Sequence, residues 1–141
     1  MPSEYFRRIA PWLFLLVACV PLVGCGNKTY PVEGQVVFDD GTVAKELAGY
    51  LVMFQSEAHK TSADGLIQAD GTFKMSTATP GDGAMLGTHR IAITPPLPDI
   101  HKGPAPVRIA AKYGQFDTSA LTVEIKAETN RITLKVERAE P

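Results

Sequence analysis

Cysteine is nearly absent from this chain. Only two of the 141 residues are cysteine, Cys19 and Cys25, and none follows residue 25. A domain built from the later residues therefore has no disulfide framework, no cysteine nucleophile and no thiolate metal site. Such a domain must be held together by its hydrophobic core.

The chain also lacks an excess of charge of either sign. It has 14 basic and 15 acidic side chains, a formal net charge of −1, and the two signs are interspersed along the sequence. This balance gives no electrostatic reason to expect binding to nucleic acid or to anionic lipid headgroups. Interspersed charges are typical of a solvated surface.

Long helical patterns are missing as well. After residue 25 the one short helical stretch lies around residues 43–47. The N-terminal apolar run, residues 9–23, is shorter than the roughly 20 residues that a spanning helix needs. Pro11 and Pro21 further disfavour an unbroken helix there. An uncleaved transmembrane anchor is therefore the weaker interpretation of this run.

The N-terminal run has instead the layout of a signal peptide. Arg7 and Arg8 form a positively charged segment, the apolar run follows, and the small Gly24 stands before Cys25. These are the three parts of a secretory signal. Because the cysteine comes directly after Leu-Val-Gly at residues 22–24, the segment resembles a bacterial lipoprotein signal.

That resemblance implies that the Cys25 thiol receives a diacylglyceryl group and that cleavage between Gly24 and Cys25 makes the cysteine the first residue. We predict residues 1–24 as a cleaved signal peptide and residues 25–29 as a short lipid-anchored tether. An ordinary signal peptide cut nearby, which leaves Cys25 as a plain thiol, is the alternative. The predicted protein is exported and anchored to the cell membrane or outer membrane, facing the periplasm or exterior. In some bacteria an aspartate directly after the lipidated cysteine retains a lipoprotein in the inner membrane. This chain has Gly26 at that position, which favours the outer membrane in a cell that has one.

From Tyr30 onward the dominant hydrophobic period is two. Residues 121–126 and 131–137 alternate between apolar and polar side chains, as half-buried strands do. The four residues 127–130 between them suit a hairpin loop. Further strands are predicted over residues 32–38, 49–55, 66–68, 73–77 and 89–94.

Turn residues separate these strands. Asp-Gly pairs occur at residues 40–41, 64–65 and 70–71, and Pro-Gly-Asp-Gly occupies residues 80–83. About seven short strands at this spacing predict an all-β sandwich over residues 30–138. The longest predicted loop, residues 95–106, contains five prolines. It is either a simple connector, which is the more ordinary interpretation, or a stiff binding loop.

Several short motifs follow one another in a recognisable order along the domain. They are Tyr30-Pro-Val-Glu-Gly-Gln-Val, Ala63-Asp-Gly, Ala69-Asp-Gly-Thr-Phe, Gly81-Asp-Gly-Ala, Lys112-Tyr, Thr118-Ser-Ala-Leu-Thr-Val and Asn130. Together they resemble bacterial lipoproteins with a transthyretin-like (prealbumin-like), carboxypeptidase-regulatory-like domain, over residues 30–136. The resemblance implies a seven-stranded Greek-key sandwich and no catalytic motif. Leu86, His89 and residues 43–46 depart from the family pattern, which affects local packing.

Catalytic and metal chemistry have little support in the sequence. Transthyretin-like hydrolases of 5-hydroxyisourate end in Tyr-Arg-Gly-Ser, which this chain lacks. The three histidines, His59, His89 and His101, are not spaced as metal ligands, and the Asp-Gly aspartates lack the spacing of a calcium loop. Ser119 is not in a Gly-x-Ser-x-Gly elbow, and with Thr118 it is predicted to cap the start of the strand at Leu121.

A binding function depends on aromatic side chains. Tyr50, Phe54, Tyr113 and Phe116 are the candidates, and core burial is the default for Phe54. Tyr113 and Phe116 lie near loops and are the better candidates for a ligand face, although the alternative of core burial is the more ordinary interpretation for both. We therefore predict a non-enzymatic envelope lipoprotein without cofactor or metal, whose sandwich binds a protein or glycan or is purely structural. The alternative is a cryptic hydrolase on the same fold.

Overall fold

The computed structural model describes residues 27–140, and these residues are mostly β-structure. Gly24 and Cys25, and with them the predicted signal peptide and lipidation site, lie outside the described residues. Among the described residues, no helix has the length and apolar character needed to cross a membrane.

The described residues form nine strands, one short α-helix and two 3-10 turns. The strands are β1 (Thr29–Tyr30), β2 (Val32–Phe38), β3 (Leu51–Ser56), β4 (Ser62–Leu66), β5 (Thr72–Lys74), β6 (Ala84–Met85), β7 (Gly87–Thr94), β8 (Leu121–Ile125) and β9 (Asn130–Val136). The helix α1 spans Phe116–Ser119, and the 3-10 turns span Lys45–Leu47 and Ala111–Gly114. The first of these turns lies in the stretch predicted to be helical.

These strands make three sheets. The largest is antiparallel with the order β4-β3-β7-β8, and the second has the order β5-β2-β9. In the second sheet β2 is antiparallel to β5 but parallel to β9, with a register from Val32 opposite Asn130 to Phe38 opposite Val136. β1 and β6 form a separate two-stranded ribbon.

The two larger sheets share one hydrophobic core. Alternate residues of each strand point into it, as the period-two pattern predicts. Phe38 from β2, Phe54 from β3 and Phe73 from β5 are all fully buried. Burying a side chain of this size contributes about 1.5–3 kcal/mol to the free energy of unfolding. The core therefore stabilises a domain that has no disulfide.

Most predicted strands are confirmed, but one is misplaced. The prediction put a turn at Asp64-Gly65 and a strand at residues 66–68, whereas the strand β4 runs from Ser62 to Leu66. Gly65 faces the backbone of β5 so closely that a Cβ would lie 2.4 Å from the Lys74 oxygen. Glycine is required here by this close approach, not by a turn.

The predicted hairpin at residues 127–130 is wrong. β8 pairs with β7 and β9 pairs with β2, so the two strands lie in different sheets. The Asn130 side chain stabilises the connection that crosses from one sheet to the other. Its Oδ1 accepts a hydrogen bond from Lys126 N–H at 2.9 Å. Its Nδ2 donates to the carbonyl oxygens of Lys126 and Glu128 at 3.1 and 2.8 Å. Alternation identifies strands but not their partners.

The domain has two distinct ends. β2, β7 and β9 all begin at one end, where Tyr30 pairs with Ala84 and Asn130 N–H donates to the Pro31 oxygen. We call this end the tether pole. At the other end, the distal pole, the chain leaves β7 after Thr94 and later returns at Ile109, which bridges to Arg138 just beyond β9.

Candidate functional site

The proline-rich segment at the distal pole is an ordered loop. Residues 95–106, here called the proline loop, contain no strand, as predicted. At its tip the Asp99 carbonyl oxygen accepts from the backbone N–H groups of Lys102 and Gly103 at 3.0 and 2.8 Å. The Asp99 side chain also accepts from His101 N–H at 2.8 Å. These bonds fix the shape of the tip, and the prolines restrict the rest of the loop.

Large apolar side chains project from this loop into solvent. Leu97 is 91% exposed and Ile100 is 92% exposed, and Val107, directly after the loop, is 67% exposed. Elsewhere in the described chain only Leu66 and Leu86 are comparable, and both are less exposed than these three. Single exposed apolar residues are ordinary, but three on one segment make this segment a candidate interaction surface. The period-two pattern of the sequence does not reveal their exposure, because these residues lie in a proline-rich segment that forms no strand.

An apolar pocket of 150 Å³ lies at the base of the proline loop. It is lined by Tyr50, Ile93, Pro95, Val107, Ile109, Ala110, Ala111 and Gly114. The lining is almost entirely apolar, so the pocket suits an aliphatic or aromatic group and offers little to a ligand that needs hydrogen bonds. Val107 joins the pocket to the exposed surface of the loop.

Tyr50 holds the loop in place. Its buried hydroxyl donates to the Pro106 carbonyl oxygen at 2.6 Å and accepts from Arg108 N–H at 3.2 Å. Both bonds reach more than fifty residues along the chain, from the start of β3 to the end of the loop. The sequence presents Tyr50 as an aromatic candidate for a ligand face, and the structure gives its ring a place in the pocket wall.

The two aromatic residues predicted as a ligand face lie elsewhere. Tyr113 is 4% exposed and belongs to the core, where its hydroxyl oxygen accepts from Glu137 N–H at 3.1 Å. The alternative of core burial therefore applies to Tyr113. Phe116 is half-buried in α1. Neither residue lines the pocket beside the proline loop.

The histidines are not brought together. His59 and His101 are exposed in loops, whereas His89 is buried in β7 and bonds the Met85 carbonyl oxygen through Nε2 at 2.8 Å. Burial lowers the pKa of His89 below its ordinary value. No carboxylate contacts this imidazole within residues 27–140. In the same part of the chain, no group of three or more His, Cys, Asp or Glu side chains is placed to hold a metal.

The aspartates of the Asp-Gly turns have structural roles. Asp40 accepts from the amide and hydroxyl of Thr42, and Asp70 accepts from those of Thr72. These bonds lower the pKa of both carboxyls. Asp82 accepts from the N–H groups of Thr77, Ala78 and Thr79. Turn formation explains all three, as predicted.

Ser119 has the predicted capping role. Its hydroxyl donates to the Ile91 carbonyl oxygen, and its Oγ accepts from Leu121 N–H at 3.3 Å. Since the hydroxyl proton is already donated to a backbone carbonyl and no base contacts it, Ser119 is not arranged as a nucleophile.

A larger polar cleft of 430 Å³ lies on the outer face of the four-stranded sheet near the tether pole. Arg90 is its most prominent charge. The guanidinium contacts Glu57 at 3.0 Å, Asp117 at 2.5 Å and the Gln55 amide oxygen at 3.1 Å. The two terminal nitrogens of Arg90 donate hydrogen bonds to Asp117 and Gln55, whereas Nε lies beside the Glu57 carboxylate without a hydrogen bond of good geometry. The arrangement ties β7 to α1 and to the β3–β4 turn.

Comparison with protein-family models, with curated proteins and with solved structures gave no match to this chain. The functional conclusion therefore depends on the residues and their geometry.

Proposed function

We propose that this protein is an exported, lipid-anchored envelope module without catalytic activity, which docks an apolar segment of another protein at its distal pole. The observation that carries the proposal is the grouping of Leu97, Ile100 and Val107 on one ordered segment. The proposed fold is a transthyretin-like Greek-key sandwich. Its support is that seven of the nine strands in residues 27–140 have three or more residues and lie in two sheets on one core.

Anchoring through acyl chains on Cys25 is the proposed membrane attachment. Each buried methylene contributes about 0.8 kcal/mol, so the two or three chains of a lipoprotein hold far more firmly than one. Only four residues separate Cys25 from Tyr30. At about 3.5 Å per residue the tether reaches less than roughly 20 Å, which keeps the domain close to the lipid.

This short tether determines which end of the domain faces outward. β7 has eight residues and is about 25 Å long at roughly 3.3 Å per residue. The proline loop follows β7, and the tether joins the domain where β7 begins. The tether cannot span that length, so the proline loop faces away from the anchoring membrane.

A protein fits the distal pole better than a glycan does. The exposed side chains are aliphatic, and the lining of the adjacent pocket is almost entirely apolar. Sugar rings need several hydrogen-bonding partners and favour aromatic faces, and the predicted aromatic Tyr113 is in the core. An apolar side chain of a partner protein can fill the pocket while its neighbours cover Leu97 and Ile100.

Anchoring is tested with Cys25→Ala, because the substitution removes the acylated thiol and leaves the rest of the chain unchanged. We expect the variant to leave the membrane fraction or to stop maturing. Mass spectrometry of the wild-type N-terminus is the second measurement. Membrane retention of a wild-type protein with an unprocessed N-terminus would contradict the proposal.

Docking is tested by placing a photo-crosslinking residue at Leu97 or Ile100 in the envelope, with the exposed Leu66 as the matched control position. The same protein should be captured from both loop positions and not from Leu66. That protein, once purified, should bind the wild type and lose at least about tenfold in affinity for Leu97→Asp or Ile100→Asp, since tenfold corresponds to about 1.4 kcal/mol. Equal capture from Leu66, or unchanged affinity of both variants, would refute docking at the loop.

A further inference from the structure

His89 is a buried ionisable group at the tether pole that the proposed docking does not use. Its side chain is 1% exposed, and in the register of the four-stranded sheet it stands between Ser56 of β3 and Val123 of β8. Its ring packs against Phe54 with 5.9 Å between the ring centroids. The imidazole is therefore enclosed by residues that carry no charge.

The hydrogen bonds of His89 show which nitrogen carries the proton. Nε2 lies 2.8 Å from the Met85 carbonyl oxygen, which only accepts, so Nε2 is the donor of a neutral ring. Nδ1 is buried and has no hydrogen-bond partner within residues 27–140. A proton added to Nδ1 would create a buried cation with an unpaired N–H, which is costly unless water reaches it.

The residue that His89 contacts also holds the first strand of the domain. Met85 is in β6, where it pairs with Thr29 of β1. Thr61, at the end of the β3–β4 turn, donates its hydroxyl to the Met85 sulfur at 3.1 Å. The β6 strand is thus placed between the imidazole on one side and the N-terminal strand on the other.

His59 is the ionisable group that acts on His89 from a neighbouring element. It lies in the β3–β4 turn, and its charge opposes protonation of His89, as burial does more strongly. β3 presents Phe54 and Ser56, β6 presents Met85 and β8 presents Val123, none of them charged. Lys60 in the same turn has a φ of 55°, a left-handed conformation that is strained for lysine.

We propose that proton uptake by His89 opens the tether pole: β6 and the β3–β4 turn separate from the imidazole, and β1 loses its partner. The proton comes from solvent and binds Nδ1. Water then solvates the imidazolium in place of the enclosing residues, and no covalent bond changes. The lipid-proximal end of the domain is therefore closed at neutral pH and opens in acid, while the distal pole keeps its structure.

The test is hydrogen exchange of the β1 and β6 amides in the mature protein in detergent micelles, corrected for intrinsic rates, at about pH 7.5 and pH 5.5. We assume that His89 stays neutral in the closed form and has an ordinary histidine pKa in the open form. The equilibrium constant for opening should then be about tenfold larger at the lower pH. The amides of the proline loop should show no such rise. Equal corrected rates in β1 and β6 at the two pH values would overturn the proposal.

Three variants separate His89 from other acid effects. His89→Phe keeps an aromatic ring but cannot take a proton, so its β1 and β6 exchange should be independent of pH. His59→Gln removes the opposing charge and should move the opening to higher pH, whereas His101→Gln in the proline loop should change nothing. If His89→Phe fails to fold, an NMR titration of the wild type decides. A His89 ring that protonates at the ordinary pH without exposing β1 would refute the idea.

Discussion

Tyr50 and Pro106, 56 positions apart in sequence, are joined by a 2.6 Å hydrogen bond from the tyrosine hydroxyl to the proline carbonyl oxygen. The bond connects the residue directly before β3 to the end of the proline loop. Arg108 N–H donates to the same hydroxyl at 3.2 Å. One side chain therefore positions the segment that carries the exposed apolar surface.

Tyr50→Phe should loosen this segment without emptying the core. The substitution keeps the ring but leaves the Pro106 oxygen and the Arg108 amide without their partner, which costs about 1–3 kcal/mol. Urea denaturation measures the loss in the free energy of unfolding. Hydrogen exchange should rise at the amides of Val107 and Arg108 and stay unchanged in β2. An unchanged unfolding free energy would show that water replaces the hydroxyl at no cost.

Asn130→Ala should destabilise the crossing between the two sheets. The alanine leaves Lys126 N–H and the Lys126 and Glu128 oxygens without the amide side chain that they contact. We expect a loss of about 1–3 kcal/mol in thermal or chemical denaturation. Asn130→Asp keeps the acceptor but loses both donors, so it should also be destabilised. A stable aspartate variant would mean that the acceptor alone holds the crossing.

Gly34→Ala should overpack the core under β2. A Cβ at this position would lie 2.4 Å from the Phe73 ring and 2.7 Å from the Ile132 oxygen. Displacing a buried ring or a strand backbone costs about 1–3 kcal/mol. Gly114→Ala is the matched control, because nothing lies within 4 Å of its Cβ position and its φ is not left-handed. Similar losses in both variants, measured by denaturation, would contradict this explanation.

Asp82→Ala should reveal a pH-dependent contribution to stability. Burial opposes ionisation of this carboxyl, but the backbone N–H groups of Thr77, Ala78 and Thr79 outweigh it and lower its pKa. A lowered folded-state pKa stabilises the fold above the ordinary value of 3.8, and this contribution is lost as the pH falls through the folded-state value. Because the site is largely solvated, the alanine variant should lose only about 1 kcal/mol near pH 7. Denaturation near pH 3 should show a smaller difference from wild type.

The sequence predicts the strands of this domain well and its contacts less well. Alternation identifies β8 and β9, because burial on one face leaves a period of two. The further strand predictions include β2 at residues 32–38 and most of β7. It does not show that β9 pairs in parallel with β2, since the pattern of a strand is independent of its partner. The same limit explains the wrong hairpin at residues 127–130.

In the candidate site, too, the sequence predicts the local segment but not its contacts. The proline content predicts the loop at residues 95–106. The exposure of Leu97 and Ile100 depends on the conformation of that loop, which the sequence pattern does not predict. For Tyr113, core burial is the more ordinary interpretation of the sequence, and the structure confirms it. His89 did leave a signal, because it is in phase with Ile91 and Ile93 along β7, and both of these face the core.

The parallel pairing of β2 with β9 has a consequence for how the chain acquires its structure. β2 can pair with β5 early, but it can pair with β9 only after residues 130–136 have been synthesised. Val32 and its partner Asn130 are 98 positions apart in the sequence. Contacts of such long sequence separation form slowly. We therefore expect the core to be completed only when β9 is available, and a chain truncated before residue 130 to be degraded in limited proteolysis. Under the export proposed above, late completion of the fold would keep the chain competent for translocation.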